Sequence, residues 1–243
     1  MLFMIQMLPY FDKISLSGPE ARSFLERIIT SDTQRLATQA ELPGALLTPQ
    51  GKVIADFILT GEDERHVLHV HHSISETLFK RLKLLRLRAD VAIELHSAIT
   101  SPPIDHKARI MGGLAAFGHD YGSAEIFPTD INLDRRGGLS FSKGCFVGQE
   151  VASRMKRRGK IRKRTLVLNA ANMKAGLEAG LGIHAGEKKI GQVTSACENV
   201  ALGLIRTDHL RAARQMGEAI HCAGHEIGID IPDWLEAEME TMA

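Results

Sequence analysis

Cys145 lies in the run SFSKGCFVGQEVASRMKRRGKIRKR, residues 140–164, among residue types that can activate a thiol. Gly144 and Gly148 bracket Cys145-Phe146-Val147. Glycine tolerates positive φ and lets a ligand come close to the main chain. Val147, Val151, Ala152 and Met155 recur at i, i+4, i+5 and i+8, the apolar stripe of a helix. Gln149 and Glu150 then fall in its first turn, where the positive end of the helix dipole favours a carboxylate. Cys145 sits just ahead of that end, with Lys143 and a basic block opening at Arg154 nearby. Such a setting lowers a cysteine pKa, and the thiolate is the reactive form. The residues also allow a second reading, in which Cys145 is a small buried apolar side chain, as most free cysteines are. A packed cysteine has no need of flanking glycines, which tilts the pattern slightly toward reactivity.

The charge is segregated along the chain. Residues 154–164 carry eight Lys/Arg and no acid, and KRLKLLRLR at 80–88 carries five more. Without those 13 the chain holds 17 basic side chains against 29 acidic ones, so its net charge of +1 hides a basic and an acidic part. Clustered cations can bind a phosphate backbone. With aromatics at only 5% and no recognisable reader module, base stacking is poorly provided for, and nucleic acid is the weaker expectation. A solvated helix face, or one that meets an acidic partner protein or polyglutamyl tail, is the stronger one.

Cys145, Cys197 and Cys222 are far apart, with no Cys-x-x-Cys. That argues against a disulfide framework and for a reducing compartment. Nor can three scattered thiols build a four-thiolate cluster cage without help. His66, His69, His71 and His72, and the HCAGH run at 221–225, lack the paired spacing of structural zinc sites, so no metal site is expected. The opening MLFMIQML has no basic region before it or cleavage site after it, and it is too short to span a bilayer. It reads as a first strand of a protein with no membrane part and a cytoplasmic location.

The elements that must position the thiol read as α+β. A helix follows Pro19 through EARSFLERIIT, with Phe24, Leu25, Ile28 and Ile29 on one face. GALLTPQGKVIADFILT forms a hairpin about a Thr48-Pro49-Gln50-Gly51 turn, and RHVLHVHH is another strand. SISETLFKRLKLLRL is a helix capped near Ser73–Ser75, and ADVAIEL is a strand. Residues 97–140 are rich in Pro, Gly and Asp and read as binding loops. Beyond residue 165, RTLVLNA, GIHAG, KKIGQVTSA, VALGLI and HEIGIDI are the short strands of a small barrel, interrupted by the helix TDHLRAARQM. The expected division is a first domain over 1–165, a barrel over 166–230 and a loosely held acidic tail over 231–243.

FPTDINLDRRGGLSFSKGCFVGQEVASRMKRRG resembles the signature of the YgfZ family, folate-binding relatives of the glycine cleavage T-protein. The family's Lys-Gly-Cys-Tyr/Phe-x-Gly-Gln-Glu is met at Lys143, Gly144, Cys145, Phe146, Val147, Gly148, Gln149 and Glu150, and Arg154 follows where the family keeps an arginine. LSGPEARSFLERIITSD, ALLTPQGKVIADF and KKIGQVTSA…VALGLIR are similar to its flanking patterns, so the likeness covers most of the chain. It implies a tetrahydrofolate-binding α+β domain joined to a small β-barrel, with a role in making or maintaining iron–sulfur enzymes and with iron–sulfur client or assembly proteins as partners. It implies that Cys145, Lys143, Gln149, Glu150 and Arg154 carry the activity, and that Gly144, Phe146, Gly148, Pro128 and Asn132 shape the folate site. Phe146 stands where tyrosine is commoner, and the chain is compact around 97–120. After HVLHV the sequence reads HHSISET, without the Asn-Ala-x-x-x-Asp context of the T-protein carboxylate. Folate-dependent aminomethyl transfer is therefore the alternative reading.

Overall fold

The computed structural model describes residues 4–62, 64–99, 104–157, 159, 161–170 and 176–241. The first unit is a five-stranded antiparallel sheet in the order β2-β3-β4-β1-β5. Its strands are β1 (Asp12–Ser17), β2 (Leu42–Leu47), β3 (Val53–Glu62), β4 (Arg65–Val70) and β5 (Ala92–His96). Strand β1 alternates, burying Ile14 and Leu16, and pairs Ile14 with Leu68 of β4. Strand β3 instead buries every residue from 53 to 59, so its apolar run is unbroken except at Asp56. Helix α2 (Ala21–Ile28) buries Phe24, Leu25 and Ile28 against this sheet, and α3 (His72–Arg86) buries Ile74, Leu78 and Leu82.

The second unit is a seven-stranded antiparallel sheet in the order β11-β10-β7-β8-β9-β6-β12, curled into a barrel. It comprises β6 (Lys163–Asn169), β7 (Gly182–Ala185), β8 (Lys188–Cys197), β9 (Val200–Arg206), β10 (Ile220–Cys222), β11 (His225–Glu226) and β12 (Gly228–Asp230). Register breaks at Ile183/His184 and Val193/Ser195 mark the bulges that let a sheet curl. The inner face carries Leu166, Leu168, Ile183, Ile190, Val193 and Ile205. Helix α6 (Thr207–Met216) covers the run TDHLRAARQM residue for residue and ends at Gly217 in the left-handed conformation.

Between the units lie α4 (His106–Met111) and a turn-rich stretch that holds them together. Buried Arg109 donates to Asp120 (2.6 Å), to the Leu114 carbonyl (2.6 Å) and to Ser195 Oγ of β8 (2.9 Å). Asp120 also accepts from the hydroxyls of Thr194 and Ser195, both at 2.6 Å. Thr165 of β6 donates its N–H and its hydroxyl to the Asp130 carbonyl, both at 2.8 Å.

Three expectations change. The opening apolar run is the short helix α1 (Met4–Met7) and not a strand; the edge-to-centre place it would have taken belongs to DKISLS, whose alternation suits a half-buried strand. Helix α2 begins at Ala21 with Glu20 as its cap, and α3 is capped by His71, whose Nδ1 accepts from Ser73 N–H, rather than from within Ser73–Ser75. Residues 231–241 of the expected acidic tail are not loosely held, and residues 242–243 lie outside the described residues. The described part forms α7 (Asp233–Thr241), which buries Leu235 and Met239 against the barrel and pairs Glu238 with Arg164 and Arg135.

Candidate functional site

Helix α5 (Gln149–Arg157) starts four residues after Cys145 and places Glu150 in its first turn. The loop ahead of it is pinned at three points. Ser140 N–H donates to the Thr30 carbonyl at 2.9 Å. Phe146 is buried and accepts Gln149 N–H at 3.2 Å. Gly148, at φ 82°, packs so tightly on the Thr48–Gly51 turn that a Cβ there would lie 2.7 Å from the Thr48 carbonyl oxygen. Gly51, itself at φ 78°, rests on Val151 of α5. These two glycines are needed for conformation and close approach together. Gly144 is different: a Cβ there would meet nothing within 4 Å, so its bareness leaves open space beside the thiol.

Between the two readings of the sulfur the structure is clear: Cys145 is exposed. Cys222 is the small apolar cysteine of the chain, buried in β10 with its thiol pushed up by burial. Lys143 does not share the thiol's exposure. Its side chain is 3% exposed and donates to the Ser31 carbonyl (2.6 Å) and Glu26 Oε2 (3.1 Å). Burial pulls its pKa down while Glu26 opposes that shift. Glu26 accepts from Thr33 N–H and Oγ1 with its other oxygen, so Lys143 anchors the loop to α2. Gln149 reaches the Lys143 carbonyl at 3.5 Å, the limit of a hydrogen bond. Glu150 and Arg154 pair with each other along the exposed face of α5. The remaining cofactor candidates sit elsewhere. Pro128 is buried and its carbonyl accepts Leu133 N–H (3.0 Å). Asn132, at φ 58°, donates Nδ2–H to the Thr165 carbonyl (2.7 Å). Its Oδ1 is buried without a hydrogen-bond partner.

Asn132 borders a crevice of about 250 Å³ between the turn at 128–138 and the barrel. Asn132, Arg135, Arg136, Asp230 and Trp234 line it, with the main chain of Gly112 and Gly113. Arg136 also donates to the Gly113 carbonyl; burial pulls its pKa down, an effect opposed by its neighbours Tyr121, Tyr10 and Asp56. Here lies a group that sequence reasoning missed. Tyr10 donates to Asp56 Oδ2 at 2.5 Å and accepts Phe117 N–H at 3.1 Å. Asp56 Oδ1 has no hydrogen-bond partner of good geometry, nor has the buried Tyr121 hydroxyl, which is electrostatically coupled to the carboxyl. Burial pushes the Asp56 carboxyl up to about 6, against the pull of Tyr10, Tyr121 and Arg136. Both tyrosines are pushed well above their ordinary value by burial and by Asp56. A carboxyl poised near neutrality can take or give a proton. The signal was available: an acid in the middle of the apolar run VIADFIL needs a reason to be there.

A carboxyl held neutral by burial makes a testable demand on stability. In the folded chain Asp56 keeps its proton to about pH 6, whereas its ordinary value is 3.8. Between these values the native state binds more protons than the unfolded one, so stability falls as pH rises and levels off above the upper value. Asp56→Asn keeps an acceptor for Tyr10 and removes this penalty. Relative to wild type it should gain about 1–3 kcal/mol by neutral pH, all of it between about pH 4 and 6. Urea unfolding across that range measures the gap, and a constant gap would show that Asp56 titrates normally.

Among the described residues no three His, Cys, Asp or Glu side chains converge as metal ligands. His69 hydrogen-bonds Thr60 Oγ1 (3.0 Å), with its pKa lowered to about 4 by burial, and His72 pairs with Asp12 at 3.0 Å. No helix among the described residues is long and apolar enough to cross a membrane.

A solved structure of glycine cleavage system aminomethyltransferase T from Bartonella henselae superposes with a TM-score of 0.73. The match covers 96% of this chain and 85% of that one at 15% sequence identity. The fold is that of the T-protein. Within it, residues 162–237 match the family described as CAF17, C-terminal beta-barrel domain, which takes in β6 through most of α7. The chain is also similar to proteins named iron–sulfur cluster assembly factor IBA57, mitochondrial. One is the Neurospora crassa homolog, 25% identical over 221 residues, which covers 63% of this chain and 50% of that protein. Another is the human protein, 26% identical over 132 residues, or 53% of this chain and 37% of the human one. The chain thus spans about half the length, or less, of these curated relatives. Arg109, Thr165 and Arg164 are among the side chains that tie the stretch between the two units to the barrel.

Proposed function

We propose that the chain is a tetrahydrofolate-binding protein of the YgfZ branch that supports the assembly or repair of iron–sulfur enzymes, with Cys145 as its working atom. The observation that carries this reading is the exposure of Cys145 beside the open Gly144, on a loop otherwise firmly anchored. The similarity to proteins named as iron–sulfur cluster assembly factors supports the biological role. A sulfur that accepts or protects a sulfur or iron species must be reachable, and this one is.

The folate is assigned to the crevice at Asn132. Its residues fit the pterin end of the molecule: an unpartnered buried amide oxygen to accept an N–H, the cations Arg135 and Arg136, and the Trp234 ring. About 250 Å³ lies below the roughly 300–1,000 Å³ of ordinary ligand pockets, so only the ring system enters and the glutamate tail stays outside. Bound folate would supply a one-carbon carrier. The chain's own contribution is to orient it through Asn132 and Arg136 and to exclude water with the α7 segment.

A second reading, a folate-dependent aminomethyltransferase, is favoured by Asp56. The carboxylate missing from the context after β4 has a buried counterpart in β3 whose pKa suits proton transfer. One titration separates the readings. Trp234 is the only tryptophan of the chain and lines the crevice, so tetrahydrofolate should quench its fluorescence saturably, and Asn132→Ala should weaken that quench at least several-fold. No quench would remove the folate assignment. Release of ammonia from an added aminomethyl donor in the same sample, lost in Asp56→Asn, would move the reading to the transferase.

A further inference from the structure

Helix α3 runs out through KRLKLLRLR, residues 80–88, a stretch made of Lys, Arg and Leu alone. The stripe it buries is Ile74, Leu78 and Leu82. Leu84 is turned off that stripe and is 69% exposed. Lys80 neighbours both Lys83 and Leu84, three and four residues on, so the three share one exposed face. The helix stops at Leu87, which is 83% exposed and holds φ 50° and ψ −109°. Ala89 N–H donates to the Arg86 carbonyl at 2.9 Å, so Leu87 takes the first central position of a tight turn. Its angles are those of a type II′ turn, where glycine is the rule. A leucine there strains the backbone and buries almost nothing in return. Folding alone gives no reason for it.

The cations around these leucines are mostly free. Lys80 pairs with Glu76 at 3.1 Å, an exposed bridge of little worth, and Arg86 donates to the Val91 carbonyl at 3.1 Å. Arg81, Lys83 and Arg88 are exposed, with no carboxylate within ion-pair distance among the described residues.

We propose that this end of α3 rests on the surface of an anionic bilayer, with Leu84 and Leu87 dipping toward the acyl chains and the cations held at the headgroups. The inference needs neither folate nor Cys145 and says where the protein works. No helix among the described residues is long and apolar enough to cross a membrane, and none has to be, because such a contact lies in the plane of the interface. Charge and apolarity together choose the occupant. An anionic leaflet offers phosphate and carboxylate groups to the cations, and hydrocarbon just beneath them to the leucines. Nucleic acid offers the first without the second. Protein interfaces favour Tyr, Trp and Phe, are poor in Lys, and are fixed by directional hydrogen bonds. A surface of Lys, Arg and Leu alone suits a fluid partner that imposes no direction.

The test is co-sedimentation of the full chain with vesicles of two parts phosphatidylcholine to one part phosphatidylserine, against phosphatidylcholine alone. Binding should be at least about ten-fold tighter to the anionic vesicles and should weaken with salt. Lys83→Glu with Arg88→Glu should abolish that preference. Lys188→Glu with Lys189→Glu, at exposed positions of β8 in the barrel, changes the net charge equally and should leave it intact. Leu84→Gln and Leu87→Gly should each weaken binding to the anionic vesicles by about ten-fold, the worth of one leucine side chain in an apolar medium. Leu87→Gly also separates binding from folding. It relieves the turn, so its urea midpoint should equal or exceed that of wild type. Equal binding to both lipids, an equal loss in the β8 control, or a Leu87→Gly protein less stable than wild type would each overturn the proposal. So would leucine variants that bind like wild type, since they would leave a purely ionic patch of the kind an acidic protein or a nucleic acid meets.

Discussion

Cys145→Ser is expected to reduce iron–sulfur enzyme activity in a complemented null strain to the level of the null itself, while the protein accumulates and unfolds like wild type. The two halves of this expectation have separate causes. Cys145 is exposed, so its replacement removes no packing and should change stability by no more than about 0.5 kcal/mol. The loop keeps its shape through Lys143, Phe146 and Gly148, none of which depends on the sulfur. What disappears is a polarisable nucleophile and metal ligand; a serine hydroxyl is harder and holds its proton at neutral pH. Cys197→Ser, made in parallel, should retain full support, because Cys197 ends β8 far along the chain from the motif. Aconitase-type activity in cell extracts, normalised to the amount of each variant, is the measurement. Full activity with Cys145→Ser would remove the thiol from the mechanism and leave the motif a structural anchor.

How much of this could be seen in the sequence depends on how local the deciding interaction is. Helix α6 and the Thr48–Gly51 turn were legible because their signals lie within them: apolar spacing and a terminal glycine in one, proline and glycine at fixed turn positions in the other. The helix after Cys145 was legible for the same reason. The opening run failed because a short apolar stretch fits helix or strand equally well, and the sheet had a better alternating candidate in DKISLS. Asp56 was missed because its partner Tyr10 lies 46 residues away, and only the fold shows that the two meet beside Arg136. Lys143 was counted as a cation of the thiol's field, but Glu26 and Ser31, more than a hundred residues earlier, capture it. Charge read along a chain says which residues are ionised, and only the fold says which are already paired.

Arg164 carries that last point furthest, and replacing it should produce the largest stability loss of any basic residue in the 154–164 block. In sequence it is the last of eight solvated cations. In the structure it is fully buried at the start of β6. It donates to the Thr129 carbonyl (3.0 Å), to both oxygens of Asp134 (2.7 and 3.1 Å) and to both oxygens of Glu238 (3.0 and 3.1 Å). The Trp234 ring lies 5.1 Å from its Cζ. One guanidinium thus ties the 128–138 turn, the barrel and α7 together. Arg164→Met keeps the volume but leaves two largely buried carboxylates facing each other, and breaking a buried pair this way costs about 3–5 kcal/mol. Arg164→Lys should recover only part of that, since an ammonium cannot match two carboxylates with paired parallel donors. Charge and volume are then separated by the triple variant Arg164→Met, Asp134→Leu, Glu238→Leu, which removes Arg164 with both its carboxylates, leaves the partly exposed Arg135 to solvent, and should regain most of the loss. Urea unfolding followed by Trp234 fluorescence reports the three variants directly, because that ring sits on the network being altered. If Arg164→Met loses less than about 1 kcal/mol, the pair behaves like a surface salt bridge and α7 is held chiefly by the burial of Leu235 and Met239.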